Sequence, residues 1–155
     1  MASFTLFESA HCVGESNLHL QFTPKYRKPV FEDEVVRKAC ELAFQGVAAQ
    51  LKVVLSGIGF GPDHAHLFVK NWKNYSIVEL ARRFKGAVSH ALRKAYPERL
   101  QKYLWGNAFW TGGYFYRTVG AVTVQAMRKY VIESQQKHWK KTNTVSEQTT
   151  LMHFN

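Results

Sequence analysis

The chain has 155 residues, 46% of them hydrophobic, and a formal net charge of +10 from 21 Lys and Arg against 11 Asp and Glu, which suits one compact domain needing no metal or disulfide staple. Its two cysteines, Cys12 and Cys40, stand in no metal-ligand spacing, which argues against a disulfide scaffold or cysteine zinc site and points to a reducing cytoplasm. No apolar run approaches the roughly 20 residues of a membrane helix, and MASFTLFESAHC lacks a basic n-region and a long apolar stretch, so neither secretion nor a membrane partner is expected.

In ESNLHLQFTPKYRKP, Leu18, Leu20 and Phe22 alternate with His19 and Gln21, the period of a strand with one buried face, broken at Pro24 by a basic loop. Apolar positions Val36, Cys40, Ala43, Val47 and Leu51 recur every three or four residues, predicting an amphipathic helix over 33–50. LKVVLSGIGF (51–60) and HAHLFVKNW (64–72) read as two strands of a hairpin joined near Gly61 and Pro62. Ser76 and Glu79 form an S-x-x-E capping box before Ile77, Leu80, Phe84, Val88 and Leu92, so a second helix runs to about Tyr96 and stops at Pro97. Its other face carries Arg82, Arg83, Lys85, Arg93 and Lys94.

Residues 98–113 show no clear period, although LWGNAFWTGG is rich in Trp and Gly, and GYFYRTVG reads as a fourth strand. Thr123 is expected to cap a last helix bearing Val124, Met127, Val131 and Ile132, up to about Lys141. The order β-α-β-β-α-β plus a C-terminal helix predicts an α+β fold, a ferredoxin-like or RRM-like antiparallel sheet with helices on one face. Residues 1–141 form the expected domain and 142–155 a polar, frayed tail.

Alternate strand residues project to one side, so His64 and His66 can turn two imidazoles to one point while Ala65 and Leu67 face the other way. That is a two-ligand metal platform needing a third ligand from elsewhere and open positions for substrate oxygens. With seven histidines in the chain, such a pair also arises by chance, and it reads equally as two solvated side chains on a half-exposed strand. Lys25, Tyr26, Arg27 and Lys28, with Lys85 on the second helix, combine phosphate-binding cations and one stacking ring. The alternative is a solvated basic surface. Trp105, Phe109 and Trp110 either stack on splayed bases or seal the core, and at least one of them is expected in the core. His11 and His19 are expected to be structural, and His90 and His138 have no assigned role.

GPDHAHLFV, LHLQFTPKYRKPVF, LARRFKGAVSHALRKAYP, LWGNAFWTGGYFYRTVG and KYVIESQQKHW, in that order over about residues 16–139, together resemble the single-tyrosine HUH transposases of the smallest bacterial and archaeal insertion sequences. The resemblance implies a homodimeric DNA endonuclease and ligase, dependent on Mg2+ or Mn2+, acting on single-stranded DNA at the hairpin ends of a mobile element. It matches His64 and His66 to the metal pair and Tyr130 to the nucleophile. Relatives carry a glutamine four residues after the tyrosine, whereas KYVIESQ puts Ser134 there and Gln135 one residue later. Five residues of ideal helix leave Tyr130 and Gln135 about 140° apart, so Gln135 shares the face only through a π-bulge. Glu133 is the alternative third ligand, an oxygen donor suited to a hard cation, and Gln136 a more distant one. Competing functions are a non-catalytic single-stranded nucleic-acid-binding module, for which no aromatic RNP signature is apparent, and a domesticated HUH nuclease or replication or conjugation initiator with the same chemistry. Coexistence of His64, His66 and Tyr130 favours the enzyme.

Overall fold

The computed structural model describes residues 7–9, 12–14, 17–119, 126, 129, 132 and 133. A short antiparallel pair, β1 (Phe7–Ser9) and β2 (Cys12–Gly14), precedes the domain proper and was not foreseen from the sequence. Three-residue strands carry too few alternations to register as a period. The order then runs β3 (Asn17–Phe22), α1 (Glu34–Leu51), β4 (Val54–Gly61), β5 (His64–Lys70), α2 (Ile77–Ala95), the short α3 (Pro97–Gln101) and β6 (Phe115–Val119). The main sheet has the order β4-β5-β3-β6 with every neighbour antiparallel. This is the expected ferredoxin-like plan, with β3 and β5 in the centre. The last predicted helix is helical at positions 126, 129, 132 and 133, all exposed; Thr123, Val124, Met127, Val131 and the tail 142–155 lie outside the described residues.

Period-two patterning explains the sheet. Leu18, Leu20 and Phe22 of β3 sit opposite Val69, Leu67 and Ala65 of β5, and all six are fully buried. They meet Phe44 of α1 and Phe84 and Val88 of α2 in one apolar core, so both long helices cover this face. The intervening residues His19, His64, His66 and Phe68 therefore point to the opposite face. Cys40 lies in the core, where burial first and then Glu41 push its thiol well above the ordinary range. It is an inert packing residue.

Each helix has a local reason to start. Asp33 accepts hydrogen bonds from the Val35 and Val36 amides at 3.0 and 3.3 Å, and Ser76 Oγ accepts from Glu79 N at 3.1 Å. α2 ends before Pro97, which opens α3. Arg99 of α3 then reaches back to Asp33 with Nη1 at 3.1 and 2.9 Å from its two carboxylate oxygens.

Burial alone would raise the Asp33 carboxyl, but the Arg99 hydrogen bond, the two amides and the Arg99 charge together hold it below the ordinary carboxylate range. A depressed folded pKa stabilises above the unfolded value, about 3.9, and its contribution is lost as pH falls through the folded value. Asp33→Ala should cost about 1–2 kcal/mol at pH 7, and in urea unfolding its deficit against the parent chain should shrink toward pH 3. A deficit independent of pH would remove the charged cap from this account.

Candidate active site

On β5 the residues facing away from the helices are His64, His66 and Phe68. Their partners across the hairpin are Gly61, Gly59 and Gly57, so three successive positions opposite them carry no side chain. At Gly61 the reason is spatial. A Cβ there would lie 2.1 Å from Cε1 and 2.6 Å from Nδ1 of the His64 ring, so the imidazole occupies the space a side chain would fill. The two-residue connection Pro62–Asp63 folds β5 back against this glycine edge.

The histidines are not on a half-exposed strand. His64 is 1% and His66 3% exposed, and their rings stand nearly perpendicular, with centroids 4.8 Å apart. Each Nδ1 has a side-chain partner. His64 Nδ1 is 2.8 Å from Asp63 Oδ1, and His66 Nδ1 is 2.9 Å from His19 Nε2. The His64 hydrogen bond first, against the effect of burial, and then the His64 and Arg27 charges hold the Asp63 carboxyl below its ordinary value. An ionised carboxylate only accepts, so His64 donates from Nδ1, and whenever the ring is neutral its lone pair is on Nε2.

His19, expected to be structural, is part of this arrangement. It lies on β3 opposite Phe68 and diagonal to His66, stacked on Phe68 at 4.7 Å and 10°. Burial first, then the Arg117 charge, lowers its pKa to about 4, so at pH 7 it is neutral and able to accept a hydrogen bond from His66 Nδ1. His66 in that tautomer also offers Nε2. The signal was available in the sequence: the alternation that buries Leu18 and Leu20 sends His19 to the other face.

Two imidazole nitrogens, each oriented from behind by a hydrogen-bonded partner, fit a divalent metal ion, because held Nδ1 atoms are how such ligands are aimed. Among the described residues, no group of three His, Cys, Asp or Glu side chains is arranged to hold a metal. Tyr130, Gln135 and Gln136 lie outside the described residues, as do His11 and His138. Glu133 is exposed and helical, with its carboxylate 3.9 Å from Lys129 Nζ.

The basic loop approaches the same strand. Its turn, Lys25–Arg27, places Tyr26 and Arg27 at φ 58° and 53°, the left-handed region, at about 1–2 kcal/mol each for residues with a Cβ. The turn is fastened to the Trp- and Gly-rich segment by Lys25 N to Phe109 O at 2.8 Å and Thr111 N to Thr23 O at 2.9 Å. Arg27 Nε is 3.3 Å from Asp63 Oδ2, so one carboxylate touches both the loop and His64. Phe109 and Trp110 seal the core at 1% and 7% exposure, whereas Trp105 is 72% exposed and Tyr26 66%. Lys25 Nζ lies 5.4 Å from the Tyr26 ring and Lys28 Nζ 5.0 Å from the Trp105 ring. Lys85 Nζ donates to Thr111 O at 2.7 Å and Gly113 O at 3.2 Å, and burial lowers its pKa; one of its three donors remains for another acceptor.

Residues 12–135 match the family model described as IS200-like transposase. The chain is 32% identical over 123 residues to the ISDra2 transposase TnpA of Deinococcus radiodurans, covering 79% of this chain and 86% of that protein. A crystal structure of a chain from Deinococcus radiodurans R1, assigned as a transposase, superposes with a TM-score of 0.66 at 26% identity, covering 83% of this chain and 96% of that one. A REP-associated tyrosine transposase bound to a REP hairpin shares the fold, with a TM-score of 0.58 at 12% identity over 86% of this chain and 75% of that one.

Gly61→Ala tests the seat of His64. The added methyl must displace the imidazole from Asp63, so the variant should fold and lose about 10-fold or more in affinity for Mn2+ by titration calorimetry. Unchanged affinity would mean that the Asp63–His64 geometry does not serve a metal.

Proposed function

The chain belongs to the IS200-like family of single-tyrosine HUH transposases, and from that footing we propose that it cleaves and rejoins single-stranded DNA by metal-dependent transesterification through Tyr130. The observation that carries the reading is the buried pair His64 and His66, both rings held at Nδ1 by Asp63 and His19 so that the two Nε2 atoms serve as ligands. A passive binder has no use for that device.

A tyrosine phenol ordinarily titrates near 10 and is a weak nucleophile at pH 7. Bound Mg2+ or Mn2+ would polarise the scissile phosphate and offset charge on the leaving oxygen. The chain supplies the rest. His64, His66 and a third ligand, Gln135 in preference to Glu133, hold the ion, while Lys25, Arg27 and Lys28 draw the strand by its phosphates and Tyr26 stacks on a base. Lys85 adds a phosphate contact through its remaining donor. Tyr130 Oη attacks phosphorus in line as it gives up its proton, and the bond to the 3′ oxygen breaks. One DNA end is left as a 5′-phosphotyrosine and the other as a free 3′-OH. Attack by a 3′-OH on the phosphotyrosine reverses the step, and since one phosphodiester replaces another, no ATP is needed. We assign the substrate as hairpin ends of a mobile element, in line with the hairpin-bound transposase that shares the fold, and the active species as a homodimer.

With Mn2+ and single-stranded oligonucleotides carrying hairpin ends, the chain should form a covalent adduct on a denaturing gel, with label on the 3′ side of the nick retained in the adduct. Tyr130→Phe should abolish it, and His66→Ala should slow it more than about 100-fold. An adduct surviving in Tyr130→Phe would refute the nucleophile. For the third ligand, Gln135→Ala should raise the metal concentration needed for half-maximal cleavage and Glu133→Ala should not; the reverse pattern would exchange the two roles.

A further inference from the structure

We propose that Tyr26 and Trp105 form one stacking platform for an unpaired nucleobase, with the Lys25 and Lys28 ammonium groups beside the two rings, 5.4 and 5.0 Å from their centroids, for the adjoining phosphate. The inference rests on the single-stranded DNA reading above and adds to it a site that includes Trp105.

The two rings come from segments far apart in the chain yet lie nearly parallel, 14° between planes with centroids 6.0 Å apart. At 66% and 72% exposure, they leave a broad apolar face in water that neither contributes to the core. The fold also maintains this display against a local preference. Tyr26 is held in a left-handed conformation, and the backbone bonds from Lys25 N to Phe109 O and from Thr111 N to Thr23 O tie its turn to the segment that carries Trp105. Neighbouring Phe109 and Trp110, from the same aromatic stretch, turn inward, so the outward placement of Trp105 is particular to that residue.

Charge selects the occupant. Lys25 and Lys28 lie over the two rings and Arg27 stands between them in sequence, so a cationic ligand of the kind aromatic cages take is repelled. A neutral proline-rich segment has no use for three cations. A nucleobase with its phosphate satisfies both parts, a flat π face for the rings and an anion for the ammonium groups. The location fits as well, because Arg27 Nε contacts Asp63, whose other oxygen holds His64. A base seated here belongs to the strand that passes the histidine pair.

Trp105 is exposed, so Trp105→Ala should leave the fold intact, checked by circular dichroism and melting. The full chain, kept in EDTA to prevent cleavage, is titrated with oligothymidylate and with an abasic sugar-phosphate strand of the same length. Trp105→Ala and Tyr26→Ala should each weaken oligothymidylate binding about 5- to 150-fold, leave the abasic strand unchanged and be rescued by Trp105→Phe and Tyr26→Phe. Equal losses on both strands, or no loss on either, would overturn the platform. The adduct assay with Mn2+ separates the two ideas. A parent chain that forms the Tyr130-dependent adduct while both ring variants bind normally sinks the platform alone, whereas a parent chain that forms no adduct sinks the transposition reading.

Discussion

Two imidazoles on alternate positions of a central strand can be kept together only if the sheet makes room for them and fixes how each ring is turned. β5 meets both demands. On one side Ala65, Leu67 and Val69 are locked into the core against β3 and the helices, which sets the register. Slipping by one residue would bury the histidines under α1 and α2 and expose three aliphatic side chains. On the other side the glycines of β4 leave space, and Asp63 and His19 hold the Nδ1 atoms of the two rings. Core and site are therefore two faces of one alternation, and the stability of the first sets the precision of the second.

The ferredoxin-like plan accounts for where the supporting groups come from. Placing β5 between β4 and β3 gives the histidine pair one neighbour that can be bare and another that can be polar. Asp63 is available because the β4–β5 connection is only two residues long, which brings a turn carboxylate beside the first histidine. The loop after β3 is drawn to the same end of the sheet by its bridge to Trp110, so the loop's cations and the paired imidazoles lie close together, linked through Asp63. The helix-covered face contributes rigidity and no chemistry.

Much of this was legible in the sequence because its signals are local. Hydrophobic period two marked β3 and β5, the S-x-x-E box marked the start of α2, and His-Ala-His marked the paired imidazoles. What was not legible depends on pairing between strands. That Gly57, Gly59 and Gly61 stand opposite Phe68, His66 and His64 is a matter of register, although three glycines at alternate positions could have suggested a cleared face. His19 looked unpartnered because its partner is 47 residues away. The meeting of Tyr26 with Trp105 follows from backbone bonds that no propensity encodes. Composition could not separate Trp105 from Phe109 and Trp110 either, since all three lie in one Gly-rich stretch and only the fold decides which turns outward.

Asp63 stands where these parts join, and its two bonds are unequal. Its contact with His64 involves a fully buried ring at 2.8 Å, while its contact with Arg27 involves a guanidinium whose side chain is 66% exposed at 3.3 Å. An exposed ion pair is worth about 0–1 kcal/mol and is screened by salt, whereas a buried polar group without its partner costs more. The carboxylate is therefore bound chiefly to the histidine, and Arg27 is the more loosely held of its two partners.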